Sequence, residues 1–277
     1  MDYIEMDCKV SPGADHTEIL IAYLAAIGYT MFEETEYGVK AYIPAIDFSH
    51  ERLDTIPFIK NPGKLKVDFT IKKPENKNWN EEWEKNFQPV IIGKEIYVRA
   101  DYHPIVHGYR FDLVIHPRMA FGTGHHATTS LVMQAMLELD FTGKRVLDMG
   151  CGSGILAILA SKMGAPTLVA VDIDENAVEN CLVNAAANNC RNITVRAGDV
   201  QVIDDEEYDI ILANINRNII LDDIGKYAQC LASKGTLVTS GYFTEDLNHI
   251  VAAAAENKLI LTKSGQLDNW CCAVFVK

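Results

Sequence analysis

A chain of 277 residues with 48% hydrophobic content is long enough for one large or two ordinary domains. Its formal net charge of −13 is not confined to one half; it argues against a nucleic-acid backbone as partner and accommodates a basic protein. No apolar run approaches the roughly 20 residues of a membrane span, the acidic start Met1–Glu5 lacks a secretory leader pattern, and seven cysteines without a C-x-x-C pair point to reduced thiols in a cytoplasm.

Residues 2–9 alternate, with Ile4, Met6 and Cys8 opposite Tyr3, Glu5 and Asp7, which is a strand pattern. Ser11-Pro12-Gly13 reads as a turn. Asp15 is a candidate cap for a helix through Ile19, Leu20, Tyr23, Leu24 and Ile27, ended by Gly28. Tyr29–Glu33 and Val39–Ile43 read as strands joined around Gly38. Phe48–Phe58 reads as a weaker helix stopped near Pro57, and Leu65–Ile71 alternates again. The order strand, helix, strand, strand, helix, strand predicts a small ferredoxin-like α+β domain over residues 1–73, a fold with no function of its own. In a two-domain enzyme such a module either binds a partner or serves packing and dimerisation.

Residues 74–115 read as a linker. Trp79, Trp83 and Phe87 recur every four residues and share a helix face, expected to pack on the catalytic domain and fix the linker, with direct substrate contact as the alternative. Val90–Ile92, Ile96–Arg99 and Phe111–Ile115 are short strands. His116–Thr129 is then a glycine-bearing loop feeding a helix of Leu131, Val132, Met136, Leu137 and Leu139. Hydroxyls and N–H groups at such a helix start suit a carboxylate. His125 and His126 are adjacent, a poor spacing for one metal ion, and no metal site is expected.

The chemistry concentrates in Arg145–Gly154, R-V-L-D-M-G-C-G-S-G, a buried strand, a glycine turn and the start of an apolar helix. The spacing G-x-G-x-G differs from the G-x-G-x-x-G that seats a pyrophosphate. Asp148 places a carboxylate two positions before Gly150, which suits a positively charged ligand better than a dinucleotide. Leu168–Asp174 is a second strand ending in acid, and Asp172 lies at the distance expected of a carboxylate on ribose hydroxyls. Together with Gly150 and Gly152 it reads as a site for S-adenosylmethionine. A helix over Glu175–Asn188 starts at Asp174, and Asp199, after the strand Ile193–Arg196, would sit beside an adenine amino group. The strand Tyr208–Asn216 opens into a polar mouth at Asn214, where ligands of open α/β sheets bind. Asn214 is also a candidate cap for the helix Ile219–Leu231. Thr236–Ser240, a helix near Leu247–Ala255, and strands near Leu259–Lys263 and Trp270–Val276 complete a doubly wound, Rossmann-like mixed sheet over residues 116–277.

D-M-G-C-G-S-G (148–154), V-D-I-D (171–174) and A-N-I (213–215) resemble class I S-adenosylmethionine-dependent methyltransferases. More narrowly, A-F-G-T-G-H-H-A-T-T (120–129) and N-W-N-E-E-W-E-K-N-F-Q-P (78–89) are similar to the signature loop and linker helix of the ribosomal protein L-eleven methyltransferases, the PrmA family. The resemblance is strong over residues 78–216, weaker toward the C-terminus and weakest in the first domain. It implies S-adenosylmethionine as cofactor, with Thr129, Gly150, Asp172 and Asn214 at cofactor-binding positions. It also implies trimethylation of lysine and N-terminal amines of a ribosomal large-subunit protein, recognised by the first domain. Cys151 and the pair Asn216-Arg217 depart from the family pattern without touching an obligatory chemical role. Asn214 is expected to position the amine, with no obligatory general base. Two rivals remain: an RNA or small-molecule methyltransferase, disfavoured by the charge, and a non-enzymatic binding protein, disfavoured by the intact glycines, Asp172 and Asn214.

Overall fold

The computed structural model describes residues 3–11, 17–35, 37–53, 55–56, 59, 66–73, 88–116, 124–203 and 206–277. The chain divides into two compact units, Met1–Trp79 and Asn80–Lys277. The turn at Pro12-Gly13, the cap at Asp15, the helix face of Trp79, Trp83 and Phe87, and residues 117–123 of the loop before Thr129 lie outside the described residues.

The first unit contains β1 (Tyr3–Ser11), α1 (Thr17–Ala26), β2 (Met31–Thr35), β3 (Gly38–Pro44), α2 (His50–Leu53) and β4 (Lys66–Lys72). Its sheet has the order β2-β3-β1-β4, with every pair antiparallel. This is the ferredoxin-like arrangement. The alternation of β1 does what its pattern predicts: Met6, Cys8 and Val10 are buried against Leu20 and Leu24, one turn apart on α1. Of the weak helix expected over Phe48–Phe58, the described residues show the four-residue α2 and a turn at Thr55, while residues 54, 57 and 58 lie outside them. Thr55 turns back on Arg52, its N–H and Oγ1 both reaching the Arg52 carbonyl oxygen, at 3.1 and 2.6 Å. Such a local bond competes with helix continuation, and Pro57 removes a donor just beyond.

The second unit opens with a small sheet of β5 (Val90–Ile92), β6 (Ile96–Arg99) and β7 (Phe111–Val114), in which β6 and β7 run parallel. It continues with α3 (Ala127–Met136), β8 (Arg145–Met149), α4 (Ile155–Lys162), β9 (Thr167–Asp172), α5 (Glu175–Ala187), β10 (Ile193–Ala197), β11 (Tyr208–Asn214), α6 (Arg217–Cys230), β12 (Leu231–Phe243), α7 (Leu247–Glu256), β13 (Ile260–Leu267) and β14 (Trp270–Val276). The seven strands from β8 onward form one sheet of order β10-β9-β8-β11-β12-β14-β13. Strands β8 to β12 are parallel, and β14 enters antiparallel between β12 and β13.

Residue parity on the central strands sorts two cores. Val146, Leu168, Ala170, Ile210, Leu212 and Val238 face one side, with α3, α4 and the small sheet. Leu147, Val169, Val171, Ile211, Ala213 and Leu237 face the other, with α6 and α7. Both faces are covered, so these strands read as continuous apolar runs instead of alternating ones. Strand order reverses between β8 and β11, and in open α/β sheets such a switch point is where the crevice for a ligand lies, outside the carboxyl ends of the strands.

Candidate active site

Strand β8 ends at Met149 and the chain turns through Gly150, Gly152 and Gly154, at φ of +69°, +51° and +77°. These left-handed values favour glycine. A side chain on Gly150 would strike Ile215, and one on Gly154 would come within 2.5 Å of Cys181 Sγ. The turn is pinned to the neighbouring strand: the N–H groups of Gly150 and Cys151 both donate to the Val171 carbonyl oxygen, at 2.8 and 2.9 Å. Asp172, the next residue of β9, accepts from Gly152 N at 2.8 Å through Oδ2 and from Asp174 N at 3.0 Å through Oδ1. A carboxylate has about four acceptor sites, so each oxygen keeps one for a ligand hydroxyl.

Across the crevice, Asn214 closes β11. Its Nδ2 donates to Thr129 Oγ1 at 3.4 Å, and Thr129, in the first turn of α3, is 1% exposed. The Asn214 Oδ1 is buried and has no hydrogen-bond partner among the described residues. Helix α3 is capped by His126, whose Nδ1 accepts from Thr128 N at 3.3 Å, while His125 Nε2 lies 2.9 Å from the Gln88 carbonyl oxygen. A glycine cradle with a half-engaged carboxylate on one wall and an orphaned amide oxygen on the other thus defines one site.

The family model of ribosomal protein L11 methyltransferase (PrmA) matches residues 17–277. The chain belongs to this family. A ribosomal protein L11 methyltransferase of Porphyromonas gingivalis is 44% identical over 261 residues, covering 93% of this chain and 90% of that one. One from Phocaeicola vulgatus is 39% identical and covers 100% of this chain and 99% of its own. The crystal structure of a ribosomal protein L11 methylase from Lactobacillus delbrueckii subsp. bulgaricus, 30% identical, covers 68% of this chain and 98% of its own with a TM-score of 0.62. Membership makes the second unit a class I methyltransferase fold and S-adenosylmethionine its methyl donor. The residues present fit that molecule. Asp172 has spare acceptor sites for ribose hydroxyls, and Ile173 beside it is 74% exposed, an apolar surface for a planar base.

The structure places the remaining candidates unevenly. Asp199 is exposed; its Oδ1 accepts from Gln201 N at 2.9 Å, and Gly198 N donates to the Asp172 carbonyl oxygen at 2.9 Å, which sets Asp199 beside the end of β9. The capping role considered for Asn214 falls to Asn216, whose side chain accepts from Asn218 N at 2.9 Å at the start of α6. Asp148 has a buried Oδ1 that, like Asn214 Oδ1, has no hydrogen-bond partner among the described residues. It is 1% exposed and accepts from Ala157 N at 3.0 Å, so it braces the first turn of α4 from beneath the cradle. Burial pushes its carboxyl up to about 7, and the nearby charge of Asp172 pushes the same way. Ile173 had a signal in the sequence, an isoleucine between two acids that cannot all be buried.

Proposed function

We propose that the chain N-methylates amines of ribosomal protein L11, at lysine side chains and at the N-terminus, carrying them to the trimethylated state. The observation that carries this reading is the buried, unpartnered Oδ1 of Asn214 at the mouth of the cradle. An amide oxygen left without a donor in a site for a methyl donor suits an incoming amine N–H. When bound, S-adenosylmethionine supplies a methyl group activated by a sulfonium.

Gly150 and Gly152 allow the close approach of that molecule, Asp172 takes the ribose hydroxyls, Asp199 takes the adenine amino group, and Thr129 and Asn214 bind the amino-acid end. Asn214 then has two tasks at once: Nδ2 is held by Thr129, which fixes the amide plane, and Oδ1 accepts from the amine and aims its lone pair. The amine must be neutral. At pH 7 this costs about 4–5 kcal/mol for a lysine and about 1 kcal/mol for an α-amine, from their reference pKa values. Desolvation at the crevice lowers the lysine cost, and orientation supplies most of the rate. No general base is needed, because the alkylammonium formed when a neutral amine takes up a methyl group would lose its proton to water before the next transfer.

The first unit recognises the protein substrate. A net charge of −13 suits a basic partner, and among the described residues no helix is long and apolar enough to cross a membrane. All seven cysteines are buried free thiols, in keeping with work in a reducing cytoplasm. Replacing Asn214 by Ala tests the reading. Single-turnover methyl transfer should fall by about 10- to 100-fold, roughly the worth of one orienting hydrogen bond in the transition state, while S-adenosylhomocysteine affinity changes less. A full single-turnover rate would remove Asn214 from the reaction.

A further inference from the structure

Helix α5 and its C-cap carry asparagines at positions 176, 180, 184 and 188, one every four residues and so along one face. Asn180, Asn184 and Asn188 are buried, at 1%, 0% and 6% exposure. Asparagine is a poor interior helix residue, so a buried column of it calls for a use.

The column stands in for a missing strand. β7 lies at the edge of the small sheet, and its outward main-chain groups need partners. Asn188 Oδ1 accepts from Val114 N at 3.0 Å and Nδ2 donates to the Val114 carbonyl oxygen at 2.6 Å. One turn earlier, Asn184 Oδ1 accepts from His116 N at 2.9 Å. Four helical residues advance about 6 Å and two extended residues about 6.6 Å, so rungs and strand stay in register. The other arm of Asn184 leaves the small sheet: Nδ2 donates to the Ser153 carbonyl oxygen, inside the glycine turn, at 2.8 Å. Asn184 thus yokes the exit of β7 to the cofactor cradle.

The next rung toward the Asp172 end of α5 is Asn180. It adjoins Cys181, whose Sγ occupies the space beside Gly154. Among the described residues neither its Oδ1 nor its Nδ2 has a hydrogen-bond partner. An apolar side chain of similar volume would avoid that desolvation cost.

We propose that Asn184 and Asn180 are positioning residues for S-adenosylmethionine. Asn184 holds the Ser153 carbonyl so that the turn keeps its ligand-accepting shape. Asn180 is the rung that pairs with the main chain of the cradle when the cofactor fills it, which links cofactor binding to the satisfaction of a buried amide. The proposal rests on the cradle being the cofactor site, and the test separates the two.

Asn180→Leu and Asn184→Asp, in the full chain, are compared with the parent by thermal unfolding without ligand and by calorimetry with S-adenosylhomocysteine. Asn180→Leu should unfold at the same or a higher temperature than the parent, yet bind about five-fold more weakly, the worth of a typical buried hydrogen bond. Parent-like affinity, or a lowered unliganded unfolding temperature, would overturn the role of Asn180. Asn180→Ala, which cannot overpack, is read on affinity in the same way. Asn184→Asp keeps the acceptor for His116 N and loses the donor to Ser153. It should raise KM for the methyl donor with kcat at saturation retained, whereas an equal fall in kcat with KM unchanged would overturn it. A parent that binds no S-adenosylhomocysteine would overturn the cofactor site and the proposal together; a binding parent with equally binding variants would overturn the proposal alone.

Discussion

Asp172 does two jobs that substitution can separate. Its oxygens accept from Gly152 N and Asp174 N at 2.8 and 3.0 Å, which shapes the cradle, and their remaining acceptor sites are assigned to ribose hydroxyls. Hydrogen bonds to a charged group are worth about 1.5–3 kcal/mol net. Asp172→Ala should therefore weaken S-adenosylhomocysteine binding by about 10- to 150-fold if the ligand loses the equivalent of one such bond. Asp172→Asn keeps one acceptor oxygen but turns an NH2 toward either the Gly152 or the Asp174 N–H, setting donor against donor. It should lose one of the two main-chain bonds and fall between parent and Ala. Titration calorimetry on the three proteins gives affinities, and thermal unfolding without ligand gives the cost to the cradle alone. The reasoning fails if Asp172→Ala binds within about two-fold of the parent while unfolding earlier, because Asp172 would then shape the loop without touching the ligand.

The pH dependence of stability should carry a signature of Asp148. Its folded-state carboxyl is raised from 3.8 to about 7, so the folded protein holds this proton more tightly than the unfolded chain does; the stabilisation is present at low pH and is lost as pH rises from about 4 through about 7. The parent's unfolding temperature minus that of Asp148→Asn should fall across that window and level off above it; a flat difference would refute the buried-acid assignment. Lysine methylation should rise steeply toward alkaline pH while α-amine methylation flattens earlier, near its reference pKa of about 7.7–8.0; identical single-turnover profiles on substrates bearing one amine class would show that deprotonation is not limiting. A chain beginning near Glu75 should still bind S-adenosylhomocysteine but methylate intact L11 poorly, and parent-like rates would make the first unit dispensable for recognition.

Much of the second unit is legible because its signals are local. The apolar run Val146–Met149 followed by three alternating glycines can hardly be anything but a strand entering a tight turn, and Asp172 and Asn214 end strands whose boundaries the sequence marks. What stays hidden depends on which face a residue presents. Asp148 looks like a ligand-facing charge; on β8 it shares parity with Val146, and one carboxylate oxygen braces α4 while the other is buried without a partner among the described residues. The short strands β5 to β7 are visible, but their pairing, including the parallel β6–β7 pair, is non-local. The asparagine column on α5 is visible as a spacing, while its partners at Val114, His116 and Ser153 lie 31 to 74 positions away in sequence. The cap of α6 shows the same limit at short range, since Asn214 and Asn216 carry the same side chain and only the strand end decides between them.

The central claim is that this chain transfers methyl groups to the amines of ribosomal protein L11. Purified L11 is incubated with the protein and isotope-labelled S-adenosylmethionine, then digested and read by mass spectrometry, with ribosomal RNA offered in parallel. The account predicts label on lysine ε-amines and on the N-terminal amine, advancing to three methyls on each modified amine, and none on RNA. Unlabelled L11 beside labelled RNA would contradict it.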